Sequence, residues 1–381
     1  MIIDILQTII NYNKLENQLK YMKINVCSHE NLKIYAIDNK NTDQFVRSKL
    51  CQNVIEQNKY NKLKILDCND SSIKDVNHLC DTLEVLNCKD YSNICQKGIS
   101  KLKKLRKLIC EKNTSICDVN HLCNTLEVLN CGSYSCIDQN GISGLKKLKI
   151  LNCGKNDKIK NVNHLCDTLE ILDCGFCSGI DQEGILELKK LRKLNCNGNK
   201  KINDVNHLCD TLEELHCGFT CGINQKGISV LEKLRILNCN GNWKIRNVNH
   251  LRNTLEKLDC SSGGGIDQEG ISELNKLVKL NCNNNEKIND VNHMANILEE
   301  LHCEFVSGIN QKGISQLNKL KILNCCGNEN IVIANHLVKT LEHLQCMYAK
   351  SGIDQKGISE LRKIKILNFV GNNKIVNTRH I

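Results

Sequence analysis

The chain has 381 residues, of which 41% are hydrophobic, 3% are aromatic and none is proline. Its 52 Lys and Arg outnumber 42 Asp and Glu, but the basic residues are interleaved with acidic ones, and no dense basic run marks a nucleic-acid surface. The 26 cysteines follow a start, MIIDILQTIINYNKLENQ, with an acidic residue, no basic region and a broken apolar stretch; this argues against a secreted disulfide scaffold and for a soluble intracellular protein with reduced thiols. No apolar run approaches the ~20 residues of a membrane span.

Residues 1–60 read as a helical N-terminal cap. Ile2, Ile3, Ile5, Leu6, Ile9 and Ile10 suit one short amphipathic helix, and Leu15, Leu19 and Met22 recur at the spacing of a second. The stretch INVCSHENLKIYAIDN follows. Repeats begin behind it, and the first coil of a stacked array needs a cap over its apolar edge in any case. The order apolar helix, Leu-rich helix, Val26-Cys27 and then Leu32 also resembles an F-box. The usual Leu-Pro opening is missing, and Glu30 stands where an aromatic is common. The resemblance implies that Ile5, Leu6, Ile9, Leu19 and Val26 bind a Skp-type adaptor and that the remaining chain presents targets to a cullin-type ubiquitin ligase.

From Leu63 the motif LxxLxC recurs to Leu341, and a last copy at Ile364 carries Phe369 in place of Cys. The spacing alternates near 21 and 22 residues, which makes fifteen units of two kinds in a 43-residue double unit over residues 61–381. The first kind reads LxxLxCxxNxxIxDVNHL, seen in Leu191, Leu194, Cys196, Asn199, Ile202, Asp204, Val205 and Leu208. The second reads LExLxCxxxxGIDQxGISxL, seen in Leu212, Leu215, Cys217, Ile223, Gly227, Ile228 and Leu231. Each unit is too short to bury its own apolar face, and stacking supplies the burial. Leu194 and Cys196 inward against Lys193 and Asn195 outward has the strand period of two. GISELKKL-like segments place apolar residues at three- and four-residue steps, as a short helix does.

This pattern resembles leucine-rich repeats, and the IxD…L spacing is similar to their cysteine-containing subclass. The resemblance implies an α/β horseshoe solenoid of about fifteen coils, with one short parallel strand in each. At ~4.8 Å per strand its arc would be on the order of 70 Å. The Asn, Lys and Ile bias and the alternating DVNHL and DQxGIS units resemble repeat proteins of giant DNA viruses of the mimivirus kind, which implies the host-cell cytoplasm.

Residues that repeat in every coil are read as building material. Cys68, Cys196, Cys346 and their equivalents occupy one position in successive coils, so they spread along an axis where a zinc site would need them to converge. Inward side chains in such a stack seldom reach disulfide torsions. The recurring His78 to His336 would hydrogen-bond a neighbouring coil's backbone. Asn113, Asn156, Asn199 and their equivalents, in the first kind of unit only, would close the turn after the strand with donor and acceptor together. In the second kind the turn would be closed otherwise, by Gly such as Gly179 and Gly222. Lys149, Arg192 and Arg235 against Glu170, Glu213 and Glu256 form a charge ladder that favours register.

Partner contacts are expected on the concave face, at Ile150, Asn152, Ile171, Asp173, Lys193, Asn195, Glu214, His216, Ile236 and Asn238, with Trp243 as an exposed contact specific to one coil. The sequence carries no phosphate-cradling Gly loop, no nucleophile elbow and no HExxH, so neither catalysis nor a metal or other cofactor is expected. The expected function is a non-enzymatic protein-binding scaffold, with no nucleic-acid or membrane partner. One alternative is a repeat scaffold whose N-terminus is only a cap. Another, of a different class, is a metal- or thiol-redox protein. At the other end, NNKIVNTRHI stops inside a unit of the first kind, leaving an edge for a partner, self-association or fraying to cover.

Overall fold

The computed structural model describes residues 34–37, 50–69, 71–90 and 92–378. The chain divides into two compact units, Met1–Leu191 and Arg192–Ile381. Among the described residues the first unit holds seven short strands, from Ala36–Ile37 to Ile171–Asp173, and the second holds nine, from Lys193–Asn195 to Ile366–Asn368. Within each unit every strand pairs in parallel with the next one in the sequence. Each unit is thus an open solenoid of the leucine-rich-repeat type. The register is constant: Leu66 lies beside Leu86 and Leu151 beside Leu172, as Leu215 lies beside Leu237 and Leu237 beside Leu258.

The repeat motif accounts for fifteen strands, and Ala36–Ile37 is a sixteenth. It pairs with Ile65–Leu66, and Ile34 and Ile37 are fully buried in the two slots that elsewhere hold Leu. The stretch reads Ile34-x-x-Ile37-x-Asn39, which an LxxLxC pattern passes over. The helices expected around Ile5, Leu6, Ile9, Leu19 and Val26 lie outside the described residues.

The segments expected as short helices are mostly single 3₁₀ turns, such as Asn163–Leu165 and Glu183–Ile185, with four-residue α turns at Gln52–Ile55 and Gln96–Ile99. A coil of this length must leave the strand, cross the stack and return. A 3₁₀ turn, rising ~2.0 Å per residue, covers that path with fewer residues than an α-helix. The apolar residues at three- and four-residue steps still point inward: Ile142, Leu145 and Leu148 are buried, but most of the run is turn and irregular chain.

From Leu63 to Cys346 the interior repeats from coil to coil; in the last coil Ile364, Leu367 and Phe369 stand in its slots and are only partly buried. Leu191, Leu194 and Cys196 are fully buried, and so are Leu148, Leu151 and Cys153. Burying each aliphatic side chain contributes roughly 1.5–3 kcal/mol. Opposite the strands, three recurring side chains fasten each coil to a neighbour. His121 and His250 bond through Nε2 to the carbonyls of Ile99 and Ile228, both at 3.0 Å. Burial holds the imidazoles of His164, His250 and His336 below their usual value, as suits a neutral ring donating Nε2–H. Asn120 donates to Asn140 O and accepts from Gly144 N, both at 2.7 Å. Gln139 accepts from the amides of Lys160 and Asn161 at 3.0 and 2.9 Å and donates to Asn161 O at 2.9 Å.

Candidate functional site

The turn that follows each strand decides which strand residues are free for other work. Asn156 Nδ2 donates to Cys131 O and Ile137 O of the preceding coil, both at 3.0 Å, and its Oδ1 accepts from Lys158 N at 3.0 Å. Asn242 repeats this on Cys217 O and Ile223 O. An asparagine in a coil of the first kind therefore also satisfies the carbonyls of the asparagine-free coil before it. The second kind adds a buried serine, as where Ser178 Oγ accepts from Ile180 N at 3.4 Å. The expected glycine contributes by absence: a Cβ on Gly179 would come within 2.4 Å of the carbonyl oxygens of Asp157 and Ile159, so glycine lets the coils approach.

The outward strand positions follow. Ile150 and Ile171 are paired neighbours, as are Asn152 and Asp173. Asn152 Oδ1 accepts from Gly154 N and Asp173 Oδ1 from Gly175 N, both at 3.1 Å. In the second unit Asn195 and Asn238 accept in the same way from Asn197 N and Asn240 N, both at 3.2 Å. This polar column, expected as partner contacts, thus opens the turn.

His216 and His302 leave that rule. Each stands in the Asn/Asp column, and the amide two residues on is taken instead by an asparagine of the preceding coil: Asn197 Oδ1 to Gly218 N at 2.7 Å and Asn283 Oδ1 to Glu304 N at 2.8 Å. The imidazole Nε2 turns to a carboxylate on its own strand, 2.6 Å from Glu214 Oε1 in one case and from Glu300 Oε1 in the other. The same oxygens take Lys193 Nζ and Lys279 Nζ at 2.7 Å. Burial raises both carboxyls, yet the hydrogen bonds from His and Lys outweigh it and hold Glu214 and Glu300 below the usual range. Two copies of a Lys–Glu–His cluster therefore face outward on one sheet. Ile236, Asn238, Lys257 and Asp259 occupy the two strands between them.

The charge ladder is present as inter-strand ion pairs, Arg192–Glu213 at 2.9 Å and Arg235–Glu256 at 2.7 Å. Trp243 is 64% exposed, with Lys244 Nζ 6.0 Å from its ring centroid. It sits in the turn after Asn242, not among the strand side chains.

A second outward feature escaped the sequence reading. Phe176, Phe219, Phe305 and Tyr348 stand two residues after the ladder cysteine in coils of the second kind, and all are exposed. Their φ values are 42°, 57°, 55° and 75°, in the left-handed region where a bulky residue costs roughly 1–2 kcal/mol. The signal was the recurring CGF and CEF, masked by Ser133 and Ser262 in the same column.

The ladder thiols are buried away from any reagent. Burial pushes Cys68, Cys110, Cys153 and Cys282 up to about 12, which suppresses the reactive thiolate. Among the described residues no three His, Cys, Asp or Glu side chains converge as metal ligands. The expectation of reduced thiols fails at one place: Cys117 and Cys136 form a disulfide, with Cα atoms 4.8 Å apart. Neither belongs to the ladder. Both lie at the coil's outer edge, and Cys136 fills the close-approach slot that Gly179 and Gly222 hold elsewhere. No helix among the described residues is long and apolar enough to cross a membrane.

The sequence matches no family model and no curated protein. Solved structures do resemble it. TLR13 in complex with ssRNA13 is 16% identical, with a TM-score of 0.51, over 94% of this chain and 57% of the other. A leucine-rich-repeat protein of Leptospira interrogans is 20% identical, with a TM-score of 0.47, over 81% and 84%. The functional domain of InlJ from Listeria monocytogenes, which includes a cysteine ladder, is 20% identical with a TM-score of 0.45; this chain covers 64% of its length. At these identities the shared property is the fold, and this chain has the leucine-rich-repeat fold.

Proposed function

We propose that the protein is a non-enzymatic scaffold that binds another protein on its exposed strand face. The observation that carries this reading is the duplicated cluster of Lys193, Glu214, His216 and Lys279, Glu300, His302. There the sequence gives up a turn-forming residue and recruits a neighbouring coil's asparagine to do its work. Asn195 beside the first cluster, Ile236 and Asn238 between the clusters, and Ile150, Asn152, Ile171 and Asp173 in the first unit, complete the proposed contact residues; Trp243 is a separate contact. The mixed charges of the face favour a protein over nucleic acid. The buried ladder thiols and dispersed ligands count against a metal- or thiol-redox protein, and stoichiometric zinc in chelator-washed protein would overturn that judgement.

The finer reading is the substrate-recognition subunit of a cullin-type ubiquitin ligase, acting in a host cell's cytoplasm. It rests on the sequence around Val26-Cys27, which favours a Skp-type adaptor on Ile5, Leu6, Ile9, Leu19 and Val26. One capture experiment tests both levels. A partner identified from lysate should be lost on Glu214→Ala with Glu300→Ala, while a purified Skp-type adaptor should be lost on Ile5→Asp with Leu6→Asp. Retention of the identified partner by the strand-face variant would sink the first reading. Failure of the unaltered protein to hold the adaptor would remove the second and leave the N-terminus as a cap.

A further inference from the structure

The exposed aromatics of the second unit are not equivalent to Phe176 of the first. Phe176 has Lys155 Nζ 5.7 Å from its ring centroid, a cation supplied by the chain itself. Lys155 occupies the position two after the ladder cysteine in the preceding coil; before Phe305 that position is Asn284, and before Tyr348 it is Gly327. Phe305 and Tyr348 instead face each other, with centroids 5.7 Å apart and planes inclined by 31°. Gly327 makes the arrangement possible. A Cβ there would come 2.9 Å from Phe305 Cδ1, and its φ of +68° suits glycine.

Around the ring pair lies a cleft of about 720 Å³ that Glu286 and Glu329 also line. Neither carboxylate has a hydrogen-bond or ion-pair partner among the described residues. They recur at one slot of adjacent coils of the first kind, where Lys200 and Trp243 stand elsewhere. Lys350 lines the cleft too, so the three charges leave it net negative. Rings present a negative face, unpaired carboxylates add to it, and a desolvated cation over aromatic faces is held more strongly than at an open surface. The aromatics sit in left-handed backbone while half exposed, so the folded chain gains little burial for that strain; a bound group covering them would supply it.

We propose that this cleft seats a lysine or arginine side chain of a basic segment in the bound protein. The proposal rests on the scaffold reading above and adds the chemistry of one anchor. Guanidinium and ammonium fit for the same reason, the flat rings and two acceptor carboxylates, and an uncharged isostere does not.

The chain has only five phenylalanines, so fluorophenylalanine incorporated throughout gives five ¹⁹F resonances, assignable by single Phe→Leu variants. The probes are N-acetyl-arginine amide, N-acetyl-lysine amide and, as uncharged control, N-acetyl-citrulline amide. The Phe305 resonance should move saturably with the two cations and not with citrulline, and Phe176, which already has Lys155 Nζ over its ring, should move far less. Glu286→Gln with Glu329→Gln should weaken the response on the order of tenfold, with unmoved Phe176 and Phe219 resonances reporting an intact fold. Tyr348→Leu should do the same from the other side of the cleft. A silent Phe305, an equal response to citrulline, or an unchanged affinity in the double Gln variant would overturn the proposal. The titration shares no residue with the strand-face capture. If Phe305 stays silent while the strand face binds its partner, the cleft inference falls alone. If Phe305 responds while no partner engages the strand face, the scaffold reading falls and the cleft stands as a cation site.

Discussion

The first outward strand position reads Ile65, Val85, Lys107, Val128, Ile150, Ile171 in the first unit, and Lys193, Glu214, Ile236, Lys257, Lys279, Glu300, Ile322, His343, Ile366 in the second. One face is aliphatic and the other mostly charged, yet from Leu63 to Cys346 the side chains behind them are the same Leu, Leu and Cys, equally buried. The interior sets coil spacing and cannot vary coil by coil. The first outward position lies outside that interior, so the difference between the units is not dictated by the packing behind it.

The largest test of that separation is an interior truncation in each unit. Leu151→Ala and Leu237→Ala should each lose about 2–5 kcal/mol of unfolding free energy in denaturant titrations. Comparable losses would support a common interior; a severe loss in one unit with almost none in the other would break it. Next come the buried asparagines. Asn156→Ala and Asn242→Ala each strip the donor from two buried carbonyls, and about 1–3 kcal/mol should go in either unit. Faster amide exchange should appear in the preceding coil as well as in the mutated one, because the asparagine serves both. Exchange confined to the mutated coil would contradict that shared role.

Much of this interior was legible beforehand because it repeats. Period two along Leu194 and Cys196 gave the strand, and recurrence in every coil marked the cysteines, as recurrence every 43 residues marked the histidines and asparagines, as building material. Other features were not legible, and three of them show why. Ala36–Ile37 was missed because Ile replaces Leu in its slots, which changes the letters and not the physics. Gln139 and its equivalents were missed because a recurring exposed Gln has no single chemistry until its neighbour's amides are placed beside it. The turn-closing role of Asn152, Asp173, Asn195 and Asn238 was hidden because alternation shows which way a side chain points, but not that its oxygen bends back to the amide two residues on. That same bond is what later singled out His216 and His302 as departures.

The smallest expected effect separates the two faces by titration. Glu214 and Glu300 are held below their usual 4.5 by hydrogen bonds from His and Lys that exist only in the folded state. A carboxyl lowered on folding contributes stability that is complete above its unfolded value, and that contribution disappears as pH falls through the folded value. The unaltered protein should therefore lose more unfolding free energy between about pH 5 and about pH 3 than Glu214→Gln with Glu300→Gln, which has no charge there to lose. Both clusters are partly solvated, so the difference should stay below about 1 kcal/mol for each. Ile150→Gln and Ile171→Gln in the first unit remove no titrating group and should leave the slope unchanged. If the double Gln variant follows the same pH curve as the unaltered protein, the carboxylates are not held by their neighbours, and the strand face of the second unit loses the feature that distinguishes it.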